Sequence, residues 1–249
     1  MKVHILGSGT CVPYNRRGSS GYALELDETT ILLDCGSGTT WKLGMVGIDY
    51  LTIDHVFTSH FHPDHTADLI TLLFATKYPH PTRNREKPLS IWGPKGFADF
   101  YSSLKIAYGD WIALDMLTVK DIPEEPVTID DFLLITKHTY HTDNSVAYRI
   151  ESQGKSIVYS GDTGYTESLI ELAKDSDLLI IECSFPDDLK YKFHLTPTEV
   201  GKIANASRAK KVILTHLNSD CDEIDIIDQV KKYVDVDVIV AEDLMGVEI

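Results

Sequence analysis

The chain has no apolar run approaching the roughly 20 residues that a membrane-spanning helix needs, so a spanning helix is excluded. Cysteine is scarce: 4 residues, Cys11, Cys35, Cys183 and Cys221, lie far apart with no C-x-x-C pair. That excludes a disulfide framework and a cysteine zinc knuckle and leaves packed free thiols, with Cys221 close enough in sequence to His216 to approach a histidine cluster. Positive charge is also short, with 23 Lys and Arg against 38 Asp and Glu and a net charge of −15. Such a balance opposes broad attraction to a polyanion, although a local cationic centre can still draw in a small phosphate ester. The one basic-leaning segment, Lys77, Arg83, Arg85 and Lys87, is broken by Pro79, Pro81 and Pro88 and reads as an exposed loop, with a site rim as the alternative. No Pro-, Gly- or Ser-rich linker divides the 249 residues, so a single domain over 1–249 is expected. Met1 to Leu6 runs straight into a strand and a glycine turn, without the apolar core of a signal peptide, and a cytoplasmic location follows as the expectation.

What the chain does have is His60-Phe61-His62-Pro63-Asp64-His65, three imidazoles and a carboxylate directly after the run His55-Val56-Phe57-Thr58-Ser59. The pattern reads as a buried strand opening into a loop that presents ligands. Imidazole nitrogen and carboxylate oxygen suit zinc and similar divalent ions, and a strand end holds them rigidly. His60 and His62 alternate and point the same way, whereas Asp64 and His65 are displaced along the turn, so one segment can serve two neighbouring ions.

Around this motif, Lys2–Leu6 is predicted as a strand, and Tyr22–Leu26 with Thr30–Leu33 as a hairpin about Asp27-Glu28. A short helix is expected after Thr39, an apolar helix from Ala67 ending near Tyr78-Pro79, a strand over Leu89–Trp92 and a helix over about Lys95–Ala107. Tyr101, Tyr108 and Trp111 read as core or contact aromatics, or as pocket lining. Met116–Lys120, Val127–Ile129, Phe132–Lys137, Ser145–Ile150 and Ser156–Ser160 read as a meander, after which helices at 166–173, 197–207 and 223–233 alternate with strands at 178–182, 211–215 and 236–240. This order implies an α/β (α+β) fold of two packed sheets flanked by helices.

His-x-His-x-Asp-His, together with Leu6-Gly7-Ser8-Gly9-Thr10, Asp34-Cys35-Gly36, Ser160-Gly161-Asp162-Thr163 and Leu214-Thr215-His216-Leu217 in that order, resembles the metallo-β-lactamase fold hydrolases along most of the chain. Within them it looks most like the ribonuclease Z and phosphodiesterase branch. The resemblance implies a four-layer αβ/βα sandwich and two divalent metal ions, zinc first and manganese second. It assigns His60, His62 and His141 to one ion and Asp64, His65 and His216 to the other, with Asp162 shared between them. His138 and His141 both follow a strand, and it is the family spacing that selects His141. Asp34 is implied as a support for the ligands, beside a separate reading as a helix cap.

In such a centre two ions about 3.5 to 4 Å apart bring a water's pKa toward 7 and stabilise both the attacking and the leaving oxygen. The resemblance places His194 as proton donor to the leaving group, with Glu182 orienting it; Asp64, His194 and Glu182 form the expected catalytic set. The expected function is hydrolysis of a small phosphodiester. The rivals are tRNA 3′ processing and hydrolysis of a lactone, thioester or lactam carbonyl. Ribonuclease Z grips tRNA with a long arm between the residues that match His141 and Asp162; here the two are 21 apart (162 − 141), and no arm fits. A homodimer is a common assembly among such proteins, but nothing in the sequence marks an interface.

Overall fold

A computed structural model describes Met1–Ile249 throughout, and the chain divides into two compact units. The first comprises Met1–Gly7, Gly18–Ile122 and Asp243–Glu248; the second comprises Ser8–Arg17 and Pro123–Glu242, with Ile249.

The first unit is built on a seven-stranded mixed sheet. Its strands are β1 (Lys2–Gly7), β2 (Gly21–Glu25), β3 (Thr30–Leu33), β4 (His55–Phe57), β5 (Leu89–Gly93) and β6 (Leu117–Asp121), side by side in that order, with Gly246–Glu248 on the outer edge of β1. The pairings from the edge to β3 are antiparallel, and those from β3 to β6 are parallel. The helices are α1 (Thr39–Met45), α2 (Pro63–Thr66), α3 (Leu69–Lys77) and α4 (Phe97–Tyr108). Leu6, Leu32, Val56 and Ile91 of the sheet pack with Leu43, Leu69, Leu72, Leu73 and Phe97 of the helices in one apolar cluster. Each such aliphatic side chain, fully buried, contributes about 1.5–3 kcal/mol.

The second unit repeats the plan with β7 (Val127–Ile129), β8 (Phe132–His138), β9 (Val146–Ser152), β10 (Lys155–Tyr159), β11 (Leu178–Glu182), β12 (Lys211–Thr215) and β13 (Asp237–Val240). β7 to β10 pair antiparallel and β10 to β13 parallel. Helices α5 (Glu167–Leu172), α6 (Pro197–Ser207) and α7 (Ile226–Lys231) cover an apolar cluster that includes Val158, Leu179, Ile181, Val212 and Leu214. α6 starts where the sequence signals it, at Thr196 and Pro197, with Glu199 closing a capping box back onto the Thr196 amide at 3.3 Å. Buried Arg17 fastens the Ser8–Arg17 loop, donating to Ser8 Oγ at 3.0 Å, to Asp222 at 2.7 Å and to the Ala241 carbonyl.

Two mixed sheets with flanking helices are the expected architecture, and three details depart from the expectation. Leu117–Asp121 does not begin the meander: it pairs in parallel with β5, because the helix Phe97–Tyr108 before it makes a crossover of the kind parallel strands require. The chain after His62 is not a loop but the turn of helix α2, opened by Pro63 at its first position. The edge strand Gly246–Glu248 is an addition, pairing with Lys2–His4. No helix is long and apolar enough to cross a membrane.

Gly36 shows how tightly the first unit holds its histidine motif. Its neighbours are tied to the segment, Cys35 N–H donating to the His65 carbonyl at 2.8 Å and Asp68 N–H to the Cys35 carbonyl at 2.9 Å. A Cβ on Gly36 would fall 2.0 Å from the Asp64 carbonyl oxygen and 2.7 Å from that of Ser20, both backbone atoms. Gly36→Ala is therefore expected to lower the thermal unfolding midpoint by about 2 to 12 °C; an unchanged midpoint in calorimetry would contradict this packing.

Candidate metal centre

Every candidate ligand follows the carboxyl end of a strand, the place where open mixed sheets expose backbone and side chains to a ligand. In the first unit Asp34 follows β3, and the histidine motif follows β4 after Thr58 and Ser59. In the second unit His141 follows β8, Asp162 follows β10, Glu182 ends β11 and His216 follows β12. These four strands run the same way, since β8 and β10 are both antiparallel to β9 and the rest are parallel to β10.

In the first unit the Asp34 carboxylate is the hub. It accepts from the Ser59 amide at 2.6 Å, from Ser59 Oγ at 2.8 Å and from His65 Nδ1 at 2.7 Å. Ser59 Oγ lies 3.0 Å from His60 Nδ1, and its only proton already goes to Asp34, so His60 Nδ1 carries the hydrogen and donates. With Nδ1 engaged on both rings, Nε2 is the nitrogen left able to coordinate a cation. Asp34 itself sits at a φ of 55°, a left-handed conformation that only a demanding local geometry retains in a non-glycine residue. The expected support role is the one observed; the cap reading is not, since α1 begins after Gly38. His60 and His65 are buried, their rings 4.1 Å apart, and His62 is exposed with its ring edge-on to His60 at 4.6 Å. Asp64 Oδ2 lies 3.6 Å from His65 Nε2.

The second unit uses the same wiring on different elements. Glu182 accepts from the Thr163 amide at 2.6 Å, the Leu195 amide at 3.0 Å, Ser184 Oγ at 2.7 Å and His194 Nδ1 at 2.9 Å. Ser184 Oγ in turn receives the His216 Nδ1 hydrogen at 2.9 Å. His141 Nδ1 donates to the Phe193 carbonyl at 3.2 Å. Asp162, buried, lies between two of these rings, with Oδ2 3.7 Å from His141 Nε2 and Oδ1 3.4 Å from His216 Nε2. Ligand atoms of Asp162, His194 and His216 lie within 4.8 Å of one another. The His194 ring stacks on that of His216 at 5.5 Å and stands 5.0 Å from that of His141. Burial pushes the His141 imidazole below its ordinary pKa, with the Asp162 charge opposing, which favours the neutral, coordinating form.

The residues fit a divalent ion. Ligand atoms held about 2.0–2.2 Å from one tetrahedral ion stand roughly 3.4 Å from one another, and the two Asp162 separations match that spacing. The donors are nitrogen and oxygen only. Cys221 stays out, its thiol turned to the carbonyls of Cys183 and Ser184 at 3.4 Å and its pKa pushed up to about 12, chiefly by burial. His138 is exposed on the end of β8. Of the first unit's aromatics, Tyr101 donates its hydroxyl to the Ile112 carbonyl, while Tyr108 and Trp111 are exposed. The Lys77–Lys87 segment is pinned to its own unit: Arg85 donates to the carbonyls of Leu51, Ile53 and Pro88. Ser59 and Ser184 carry no signature of their own in the sequence beyond standing one residue before His60 and two after Glu182.

The β-lactamase superfamily domain matches residues 29–217. The metallo-β-lactamase fold protein YhfI from Bacillus subtilis is 33% identical over 87% of both chains, and its crystal structure superposes with a TM-score of 0.87 over 98% of each. The ribonuclease Z of Methanosarcina acetivorans is 26% identical over 100% of this chain and 98% of its own. The short form of human tRNase Z shares the fold, with a TM-score of 0.79 at 23% identity, over 100% of this chain and 99% of that one. The chain belongs to the β-lactamase superfamily, as a metallo-hydrolase of the metallo-β-lactamase fold.

Two outcomes follow for this centre. Asp34→Asn, which weakens the acceptor for both Ser59 and His65, is expected to lower zinc affinity by about 10- to 100-fold in competition with a chromogenic chelator; an unaltered affinity would remove Asp34 from the centre. Burial pushes the thiols of Cys35, Cys183 and Cys221 upward, so a disulfide reagent at pH 8 should label only exposed Cys11 in the folded protein. Rapid labelling of a second thiol would contradict the packing described.

Proposed function

We propose that the protein is a dinuclear metal-dependent phosphodiesterase acting on a small phosphodiester, its two units working as one hydrolase domain over residues 1–249. His60, His62 and His141 hold one divalent ion, Asp64, His65 and His216 hold the other, and Asp162 is shared. The carrying observation is the placement of Asp162, one carboxylate oxygen toward His141 Nε2 and the other toward His216 Nε2. An all-nitrogen-and-oxygen set favours zinc, with manganese the alternative.

The ions, when bound, supply an acidified water and a positive field for the phosphoryl oxygens. The chain's own residues do the rest. Asp64 orients the attacking water by accepting its hydrogen bond. His194 delivers a proton from Nε2 to the leaving oxygen, and Glu182, holding Nδ1 at 2.9 Å, keeps the ring aimed. A proton donor serves any strongly basic leaving group, and the likeness to ribonuclease Z along the whole chain is what favours a phosphodiester over an activated carbonyl.

The β9–β10 hairpin bears on the size of the substrate. Ser152 pairs with Lys155, so Gln153 and Gly154 alone turn the chain, at φ of 51° and 72° as a primed two-residue hairpin requires. No arm extends from this turn to grip a folded RNA, and the net charge of −15 opposes one.

Protein loaded with zinc should bind two equivalents and hydrolyse bis-p-nitrophenyl phosphate in preference to a homoserine lactone or a cephalosporin. His194→Ala should cut kcat by about 10²- to 10⁴-fold on a diester with an alcohol leaving group. The loss should be much smaller on the p-nitrophenyl ester, whose phenolate leaves without a proton. Equal losses on both substrates would remove the proton-donor role, and faster carbonyl hydrolysis would overturn the phosphodiesterase reading.

A further inference from the structure

Phe61 stands between two candidate ligands and turns away from both. The chain is still extended at His62, with φ of −62° and ψ of 146°, so successive side chains alternate. His60 and His62 meet edge-on at 4.6 Å on one side, and Phe61 goes to the other. There its ring lies 4.9 Å from that of Phe100, with 2° between the planes, and 6.2 Å from that of Phe97. A parallel stack at this separation is among the favoured aromatic arrangements.

Both partners belong to α4, and α4 is itself seated on the sheet that carries the motif. Phe97 is fully buried, and a Cβ on Gly93 at the end of β5 would fall 2.4 Å from its ring. Asp121, at the end of β6, accepts from the Gly96 and Ala98 amides at 2.9 Å each, satisfying donors that a helix start leaves open. The Thr58 amide, two residues before His60, donates to the Trp92 carbonyl of β5 at 2.8 Å. Strand ends, helix start and ligand segment thus share one foundation, and Phe61 joins the segment to the helix.

Such a joint matters most at His62. His60 and His65 are buried, with Nδ1 held by Ser59 and by Asp34. His62 is exposed, and its carbonyl accepts from the His65 amide and from Thr66 Oγ1 at 3.0 Å each. Those bonds fix the main chain after the imidazole; the stacked ring of Phe61 fixes it before.

We propose that Phe61, clamped on Phe100 and Phe97, is a positioning residue of the metal centre: it sets the approach of the His60–His62 pair and with it the affinity for the ion that the pair holds. The inference rests on the assignment of His60 and His62 to one ion and not on the substrate. A merely structural contact would lower stability without choosing between the two ions.

Zinc titration of the metal-free full chain against a chromogenic chelator separates the two cases. Phe61→Ala should weaken one of the two equivalents by about 10-fold, the scale of a lost supporting contact in a metal centre, and leave the other within about twofold. Phe61→Tyr, which keeps the stacked ring, should retain both affinities. Phe100→Leu, made on α4, should reproduce the selective loss in smaller measure, and it decides the matter if Phe61→Ala does not fold. Equal weakening of both equivalents, or a lower unfolding midpoint with both affinities unaltered, would overturn the clamp. If the unsubstituted chain takes up a single equivalent, the two-ion reading fails; an unweakened equivalent in Phe61→Ala would then still overturn the clamp, and a weakened one uphold it. Selective weakening in a protein that hydrolyses no phosphodiester would uphold the clamp and sink the phosphodiesterase reading alone.

Discussion

A buried imidazole can offer one nitrogen to a ligand only when the hydrogen on the other has a fixed acceptor, and the loops at the strand ends are arranged around that constraint. In the first unit the Asp34 carboxylate takes the Ser59 and His65 hydrogens, and Ser59 takes that of His60. In the second, Glu182 takes the Ser184 and His194 hydrogens, and Ser184 takes that of His216. A hydroxyl has one proton to give, so routing it to the carboxylate sets the tautomer of the next ring. Two unrelated stretches of chain thus reach the same solution, a carboxylate, a serine and two imidazoles at the carboxyl ends of parallel strands.

The topology explains why those ends are available. Each sheet has an antiparallel part, with tight hairpins at β2–β3 and β9–β10, and a parallel part whose crossovers pass through helices. Parallel strands buried on apolar clusters are rigid, and the loops at their carboxyl ends inherit that rigidity. The difference between Glu182 and Asp34 then becomes chemical. Both hold imidazoles, but His194 remains partly exposed beside an aromatic surface, whereas His60 and His65 are enclosed. An enclosed ring suits a permanent ligand, and a ring at the edge of solvent suits one that exchanges a proton with a substrate.

Much of this was legible in the residues because it rests on strong periodicity and on unusual residue types. The strand Val212–Leu214 ahead of His216 is too apolar to lie on a surface, and three histidines with an aspartate in six residues are rare by composition alone. The glutamate ending β11 and the Thr196-Pro197 helix start were readable for the same reason. The supporting hydroxyls were not, since serine is common and only its neighbours in space give Ser59 and Ser184 their function. Leu117–Asp121 could not be allotted to a sheet from its own sequence, because alternation identifies a strand but not its partner. Gly246-Val247-Glu248 is too short to carry a pattern. On the short helix α1, Trp41 and Met45 lie on the solvent side, Trp41 83% exposed, and the buried contact is Leu43.

The central claim is that imidazole and carboxylate groups, with no thiol, hold a pair of neighbouring cations. X-ray absorption at the zinc edge of the loaded protein tests it most directly. The account predicts a shell of nitrogen and oxygen at about 2.0–2.2 Å and a metal–metal distance of about 3.5–4 Å. A sulfur shell at about 2.3 Å, or a single isolated ion with no metal neighbour, would contradict it.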